Sequence, residues 1–276
     1  MDVRYLPTPE HFKRMNTQEV RQRFLIEQAF RSGEINLTYS HVDRMVIGSI
    51  VPANSAIALE AGKELAADYF HERRETGVFN IGNTGSVTVD GTGYTVANKE
   101  MLYIGRGSKA VSFSSAEASD PAKFFLISLP AHTDCPTAHI ALNDANRVDL
   151  GDQDHANKRT IYQYIHEGGV QSCQLVMGFT ALETGSVWNT MPAHTHERRS
   201  EVYMYFELEG EEIVFHMMGQ AEETRHIIMR QGDAVISPSW SIHAGAGTSN
   251  YCFIWAMGGE NQAFNDMDGI PLSEMA

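Results

Sequence analysis

The chain has 276 residues, 42% of them hydrophobic, and a formal net charge of -14. At roughly 150 residues per domain it is long enough for two ordinary domains or one large β body. The acidic balance argues against a sequence-independent hold on nucleic acid or an anionic membrane, since both require clustered Lys and Arg.

The start, Met1-Asp-Val-Arg-Tyr-Leu-Pro7, lacks an apolar signal core, and no window approaches the ~18 apolar residues of a membrane span, so a soluble, cytoplasmic protein is expected. Residues 8–32 carry apolar side chains at helical spacing, with Thr17 as the expected N-cap. From Ile35 the pattern changes to short runs rich in Val, Ile, Tyr, Phe and Thr, separated by Gly, Asn and Asp. Strands are expected over 46–51, 77–81, 86–90, 94–96, 101–104, 110–113 and 124–128, with a hairpin turn at Asp90-Gly91-Thr-Gly93. Residues 131–158 lack apolar periodicity and read as a connection. The β pattern then resumes over 160–165, 173–180, 201–206, 212–216, 224–229, 234–236 and 251–256. Cys135, Cys173 and Cys252 are too far apart for a zinc motif and odd in number, which predicts buried thiols in a reducing compartment.

A short echo links the two sets of strands. His71-Glu-Arg-Arg74-Glu75 matches His196-Glu-Arg-Arg199-Ser-Glu201, 125 positions on, at the same point in two similar strand successions. This is the mark of an internal duplication. The expected fold class is all-β, two barrels or sandwiches in tandem after a short N-terminal helix. The expected division is 1–34 helical, 35–150 a first half without metal ligands, and 151–276 a second half carrying the metal site.

The chemistry concentrates in Trp188 to Glu201. His194 and His196 are one residue apart, so in a strand they share a face. Glu201 follows closely, and His243 stands in Pro238-Ser-Trp240-Ser-Ile-His243 after the apolar run 234–236. Three imidazoles and a carboxylate suit Zn, Fe, Mn, Ni or Co. The step from His196 to Glu201 is odd, so a bulge or turn over 197–200 is needed to bring both to one face. In the first half Tyr69 falls where His194 stands, and the run Gly105-Arg-Gly-Ser-Lys-Ala-Val111 after the strand at 101–104 has no histidine where His243 would be expected, so the scaffold there is expected to lack the metal set.

The spacing resembles the cupin pattern: His-x-His, then Glu, then a last His in a motif opened by Gly and Pro, here Gly232 and Pro238. Trp240 stands where that motif usually has Gly, and eight residues separate Glu201 from Gly210; both departures affect turns more than ligands. Beyond the fold, the runs 188–206, 215–226, 237–243 and 255–262, with His71-Glu-Arg-Arg-Glu75, resemble the bacterial 5-keto-4-deoxyuronate isomerase family over nearly the whole chain. The resemblance implies a cytoplasmic, zinc-containing, homohexameric double cupin of pectin breakdown. Its members are ketol-isomerases that interconvert 5-dehydro-4-deoxy-D-glucuronate and 3-deoxy-D-glycero-2,5-hexodiulosonate. It also implies one divalent ion per subunit, held by His194, His196, Glu201 and His243.

The general base is open among the side chains of Glu197, His216, Glu223, Tyr203 and His226, with a metal-bound hydroxide as a further alternative. Arg225, Arg199 or Arg198 are candidates for pairing bidentately with the carboxylate of a small acidic sugar. Two other classes share the scaffold, an iron dioxygenase with the same ligands and a non-enzymatic sugar-binding cupin. Metal content and oxygen dependence separate them from the isomerase.

Overall fold

Runs of β-branched and aromatic residues cut by turn residues give two β units in the computed structural model, which describes residues 1–276. One unit comprises Met1–Arg4, Ala29–Ala145 and Tyr164–Val176; the other comprises Tyr5–Gln28, Asn146–Gln163 and Met177–Ala276. Each contains one seven-stranded and one four-stranded sheet, the all-β architecture expected from the strand density and the cupin type expected from the ligand spacing.

In the first unit the large sheet runs, edge to edge, Asp2–Arg4, Ile35–Ser40, Val46–Ile50, Phe124–Pro130, Arg74–Asn80, Met101–Ile104 and Ala138–Ile140. The small sheet runs Ile57–Ala58, Val111–Ser115, Gly85–Val89 and Thr92–Val96. Val46, Val78, Phe124 and Leu126 from the first pack with Val87, Val111 and Phe113 from the second. Each such side chain contributes about 1.5–3 kcal/mol on burial.

The second unit repeats this order. Its large sheet runs Asn146–Leu150, Arg159–Ile165, Val176–Leu182, Cys252–Gly259, Arg199–Phe206, Ala234–Ser237 and Leu25–Ile26; the small one runs Trp188–Asn189, Ala244–Gly247, Val214–Gln220 and Glu223–Met229. The strands that follow the two echo motifs, Arg74–Asn80 and Arg199–Phe206, hold the same place in the two sheets. The duplication is thus visible in strand order as well as in sequence.

The N-terminal segment differs from the single helix expected over 8–32. Two short helices form, Pro9–Phe12 and Thr17–Phe24. Asn16, not Thr17, caps the second: its side chain accepts the Glu19 amide at 3.0 Å and the Glu19 carboxylate accepts the Asn16 amide at 2.7 Å. That reciprocal capping box makes Thr17 the first helical residue. The helix stops where Leu25–Ile26 pair with Ala234–Val235 as an edge strand, tertiary pairing overriding helical periodicity. Residues 1–34 therefore form no separate body. Asp2–Arg4 pair in parallel with Thr38–Ser40 in one unit, and Tyr5–Gln28 belong to the other.

The stretch read as a plain connection, 131–158, supplies two edge strands, Ala138–Ile140 and Asn146–Leu150. Edge strands expose one side and tolerate polar residues, which removes the alternation that marks inner strands. All three cysteines are free, but only Cys252 is buried; Cys135 and Cys173 are half-buried in loops.

One first-unit contact anchors a loop. Glu75 is fully buried, and its carboxylate accepts the amides of Cys173 at 2.7 Å, Gln174 at 2.9 Å and Leu175 at 3.0 Å, and the Tyr103 hydroxyl at 2.7 Å. Removing it orphans four donors, two of them buried and two part-buried. Glu75→Ala is expected to lose about 3–5 kcal/mol in urea unfolding, and a loss below about 1 kcal/mol would contradict this anchoring role.

Candidate metal centre and its cavity

His194–Thr195 form a short strand, Glu197 and Arg198 make a turn, and Arg199–Phe206 form the strand that carries Glu201. This is the break that the odd step required. The turn is fastened from within: the Arg199 amide donates to the His196 carbonyl at 3.2 Å, and His196 Nδ1–H donates to the Arg199 carbonyl at 3.0 Å. It is fastened from outside by residues 261–269. Arg199, 1% exposed, donates to the carbonyls of Ala263 at 2.6 Å and Asp266 at 2.8 Å. Arg198 pairs with the Asp266 carboxylate and, at 2.9 Å, with Asp268. Thr195 pairs with Asp268 and His194 with Gly269 in a two-stranded ribbon.

With the turn in place, the four candidate ligand side chains converge. His194 Nε2 and His243 Nε2 stand 2.9 Å apart, and Glu201 Oε2 lies 3.1 Å from both His196 Nε2 and His243 Nε2. His196, Glu201 and His243 are buried, while His194 is half-buried at the mouth. Nδ1 of His196 donates to Arg199 O and its Nε2 bonds the Glu201 carboxylate, while Nδ1 of His243 donates to Ser241 O at 3.3 Å, which leaves the His243 Nε2 as a lone pair aimed inward. Lone pairs and a carboxylate at such separations repel one another unless a cation sits among them. The three histidines could hold a metal ion, and the Glu201 carboxylate 3.1 Å from two of them makes the set fit a divalent metal with imidazole and carboxylate preference.

The electrostatics agree. Burial pushes the Glu201 carboxyl up, but the surrounding His243, His196 and His194 outweigh it and hold the group at about 2. Burial lowers His243 to about 3 and His194 to about 4, so both are neutral imidazoles at ordinary pH. Burial works in the same sense on His196, but its bond to Glu201 overcomes that and raises it.

A cavity of about 310 Å³ opens beside these residues. His194, His196, Glu201 and Tyr203 line one end; Met191, Phe253, Trp255, Met257 and Phe264 supply apolar walls; Arg159, Thr180, Thr190 and Asn265 supply polar groups. The Tyr203 hydroxyl meets Thr190 Oγ1 at 3.1 Å. Burial holds the phenol well above its usual range, so Tyr203 is a neutral hydroxyl.

The other sequence candidates lie elsewhere. Glu197 is exposed on the turn. His216 is buried with Nδ1 on the Tyr205 hydroxyl at 2.8 Å, behind Tyr203 and outside the cavity lining. Glu223 pairs with Arg225 at 2.9 Å on the small-sheet hairpin, and His226 is exposed against Phe215. Of the proposed bases only Tyr203 reaches the cavity.

None of the three arginines considered for the substrate lines the cavity. Arg198 and Arg199 are consumed in holding the turn, and Arg225 donates to the Lys13 carbonyl at 2.8 Å beside Phe12. Arg159, which the sequence reading missed, is the cavity's arginine. It belongs to no motif; its one signal was a charge in alternation with Ile161, which also faces the cavity.

The first unit shows what replaced the metal set there. Thr76 stands 125 positions before Glu201, and its hydroxyl meets His71 Nε2 at 2.8 Å. Burial lowers His71 to about 3, so a neutral imidazole–hydroxyl bond occupies the place of the histidine–glutamate pair. Glu75 aligns with Ser200 rather than Glu201 and has the opposite parity, which is why it turns to the loop at 173–175.

Comparison with known proteins carries the resemblance further. A model of the KduI/IolB family matches residues 24–270. The 4-deoxy-L-threo-5-hexosulose-uronate ketol-isomerase of Caldicellulosiruptor bescii is 50% identical over 275 residues, covering 100% of both chains. The protein of that name in Yersinia enterocolitica is 52% identical over 268 residues and 96% of each chain. Among solved structures, an IolB-like protein from Salmonella typhimurium superposes with TM-score 0.73 at 12% identity, over 90% of this chain and 97% of that one. Bacillus subtilis oxalate decarboxylase does so with TM-score 0.60 at 11% identity, over 87% and 78%. At such identities these two support the fold alone.

Proposed function

Because the chain belongs to the KduI/IolB family and matches ketol-isomerases end to end at half identity, we propose that it is an enzyme of the intramolecular oxidoreductase class. Its reaction interconverts 5-dehydro-4-deoxy-D-glucuronate and 3-deoxy-D-glycero-2,5-hexodiulosonate. The observation that carries the reading in this chain is the convergence of His194, His196, Glu201 and His243 at one end of a cavity sized for a six-carbon acid.

The reaction moves one hydrogen from the hydroxyl-bearing carbon to the neighbouring aldehyde carbon and one proton between their oxygens, with no net oxidation. A divalent ion held by the four residues would polarise those oxygens and stabilise negative charge on them. Tyr203, a neutral phenol on the same strand face as Glu201, is placed to donate its proton to the charged oxygen, and Thr190 fixes the direction of that hydroxyl. Trp255, Phe253 and Met257 exclude water from the reacting end. The Arg198–Asp266 and Arg199–Ala263 contacts keep the His-x-His turn in register, so both arginines are positioning residues.

Zinc is the proposed resident ion, supported by the imidazole and carboxylate donors and a buried site. A cytoplasmic homohexamer acting in pectin breakdown is proposed on the family resemblance. The test is to supply the 5-keto-4-deoxyuronate anaerobically to protein of measured metal content and follow the carbon skeleton by NMR. Conversion without oxygen is expected. A protein with full metal occupancy that converts nothing would refute the isomerase reading, and conversion that requires oxygen would favour the dioxygenase.

A further inference from the structure

The cavity carries one permanent cation. Arg159 opens the strand Arg159–Ile165 and is paired with Leu150 on the neighbouring edge strand, and both residues line the cavity. It is half-buried, and its single hydrogen bond runs from Nη1 to the Asn157 carbonyl at 2.8 Å. Burial lowers its pKa, and the titrating groups that act on it are the phenols of Tyr203 and Tyr251, with no carboxylate among them. By contrast, Arg198 has two aspartates and Arg225 has Glu223. A desolvated guanidinium without an anion, beside apolar walls and in the same cavity as Glu201 and His194, is an incomplete ion pair.

We infer that Arg159 binds the substrate carboxylate and so determines which end of the six-carbon chain reaches the four-residue metal set. This rests on the isomerase reading and deepens it. In the proposed substrate the carboxylate and the aldehyde are at opposite ends, so one anchor at the carboxylate is enough to present the aldehyde and its neighbouring hydroxyl to Tyr203 and Glu201. The apolar walls strengthen the pair by keeping water from it and leave room for the deoxy methylene between the two ends.

The test compares wild type, Arg159→Gln and Arg159→Lys on the free acid and on its methyl ester, with metal content and thermal midpoint measured for each. Arg159→Gln keeps a donor for the Asn157 carbonyl. It is expected to lose about 100-fold in kcat/KM on the acid, largely as raised KM, while holding full metal. Arg159→Lys, a point charge without the fork, is expected to lose about 10-fold. On the ester, wild type and Arg159→Gln are expected to be equally slow. If wild type converts the acid and Arg159→Gln matches it, the anchor is elsewhere and the isomerase reading stands. Equal losses on acid and ester, or loss of metal in both variants, would make Arg159 a structural residue and overturn the inference. A wild type that is inactive with full metal refutes the isomerase reading itself.

Discussion

His243→Ala is expected to lose its metal and its activity together. The histidine is 1% exposed, its Nδ1 is tied to Ser241, and its Nε2 lies within 3.1 Å of Glu201 and 2.9 Å of His194. No neighbouring side chain can replace it, so the variant retains three donors and an added void. Metal per chain should fall from about one to near zero and turnover by at least about a thousand-fold. The control is His71→Ala in the first unit. It breaks the 2.8 Å bond to Thr76 and is expected to cost about 2–3 kcal/mol of stability with metal content unchanged. Elemental analysis of both variants decides the matter: metal retained in the first, or lost from a folded second, would place the site in the wrong half. Acid should mimic the first variant. His196 is the site histidine whose pKa is raised, so protons compete with metal there first, and affinity falls as the pH drops through that raised value.

Tyr203→Phe should separate chemistry from binding. The hydroxyl is removed while the ring, packed 4.8 Å from Phe253, remains. Loss of one donor aimed at developing charge is expected to lower kcat about 100-fold and to change KM less than about threefold, with metal intact. Tyr205→Phe is the companion. Tyr205 shares the strand and its parity but donates to His216, outside the cavity lining, so its loss should cost stability and leave kcat within a few-fold. A Tyr203→Phe enzyme with wild-type kcat would remove the phenol from the mechanism.

Alternation, turn residues and ligand spacing are local, and they made the two strand sets, the duplication and the His-x-His turn legible. The need for a break over 197–200 followed from parity alone, and the turn at Glu197 and Arg198 supplies it. Local pattern failed where one segment's state depends on a distant one. Leu25–Ile26 are a strand only because Ala234–Val235 offer an edge, and 138–140 and 146–150 pair as polar edge strands with no periodicity to betray them.

The arginines show the same limit at the site. Arg198 and Arg199 stand beside the ligands in sequence, yet Asp266, Asp268 and the Ala263 carbonyl, some 65 residues on, draw them into scaffolding. Arg159, 35 residues before the nearest ligand, reaches the cavity because its strand lies in the same sheet as the one that bears Glu201. The sequence by itself therefore determined which residue types gather as potential metal ligands, since ligand chemistry and strand parity are properties of short stretches. Which charges are free to meet a substrate was decided only by the tertiary structure, because a charge is neutralised by whatever lies near it in space, and chain order does not record that.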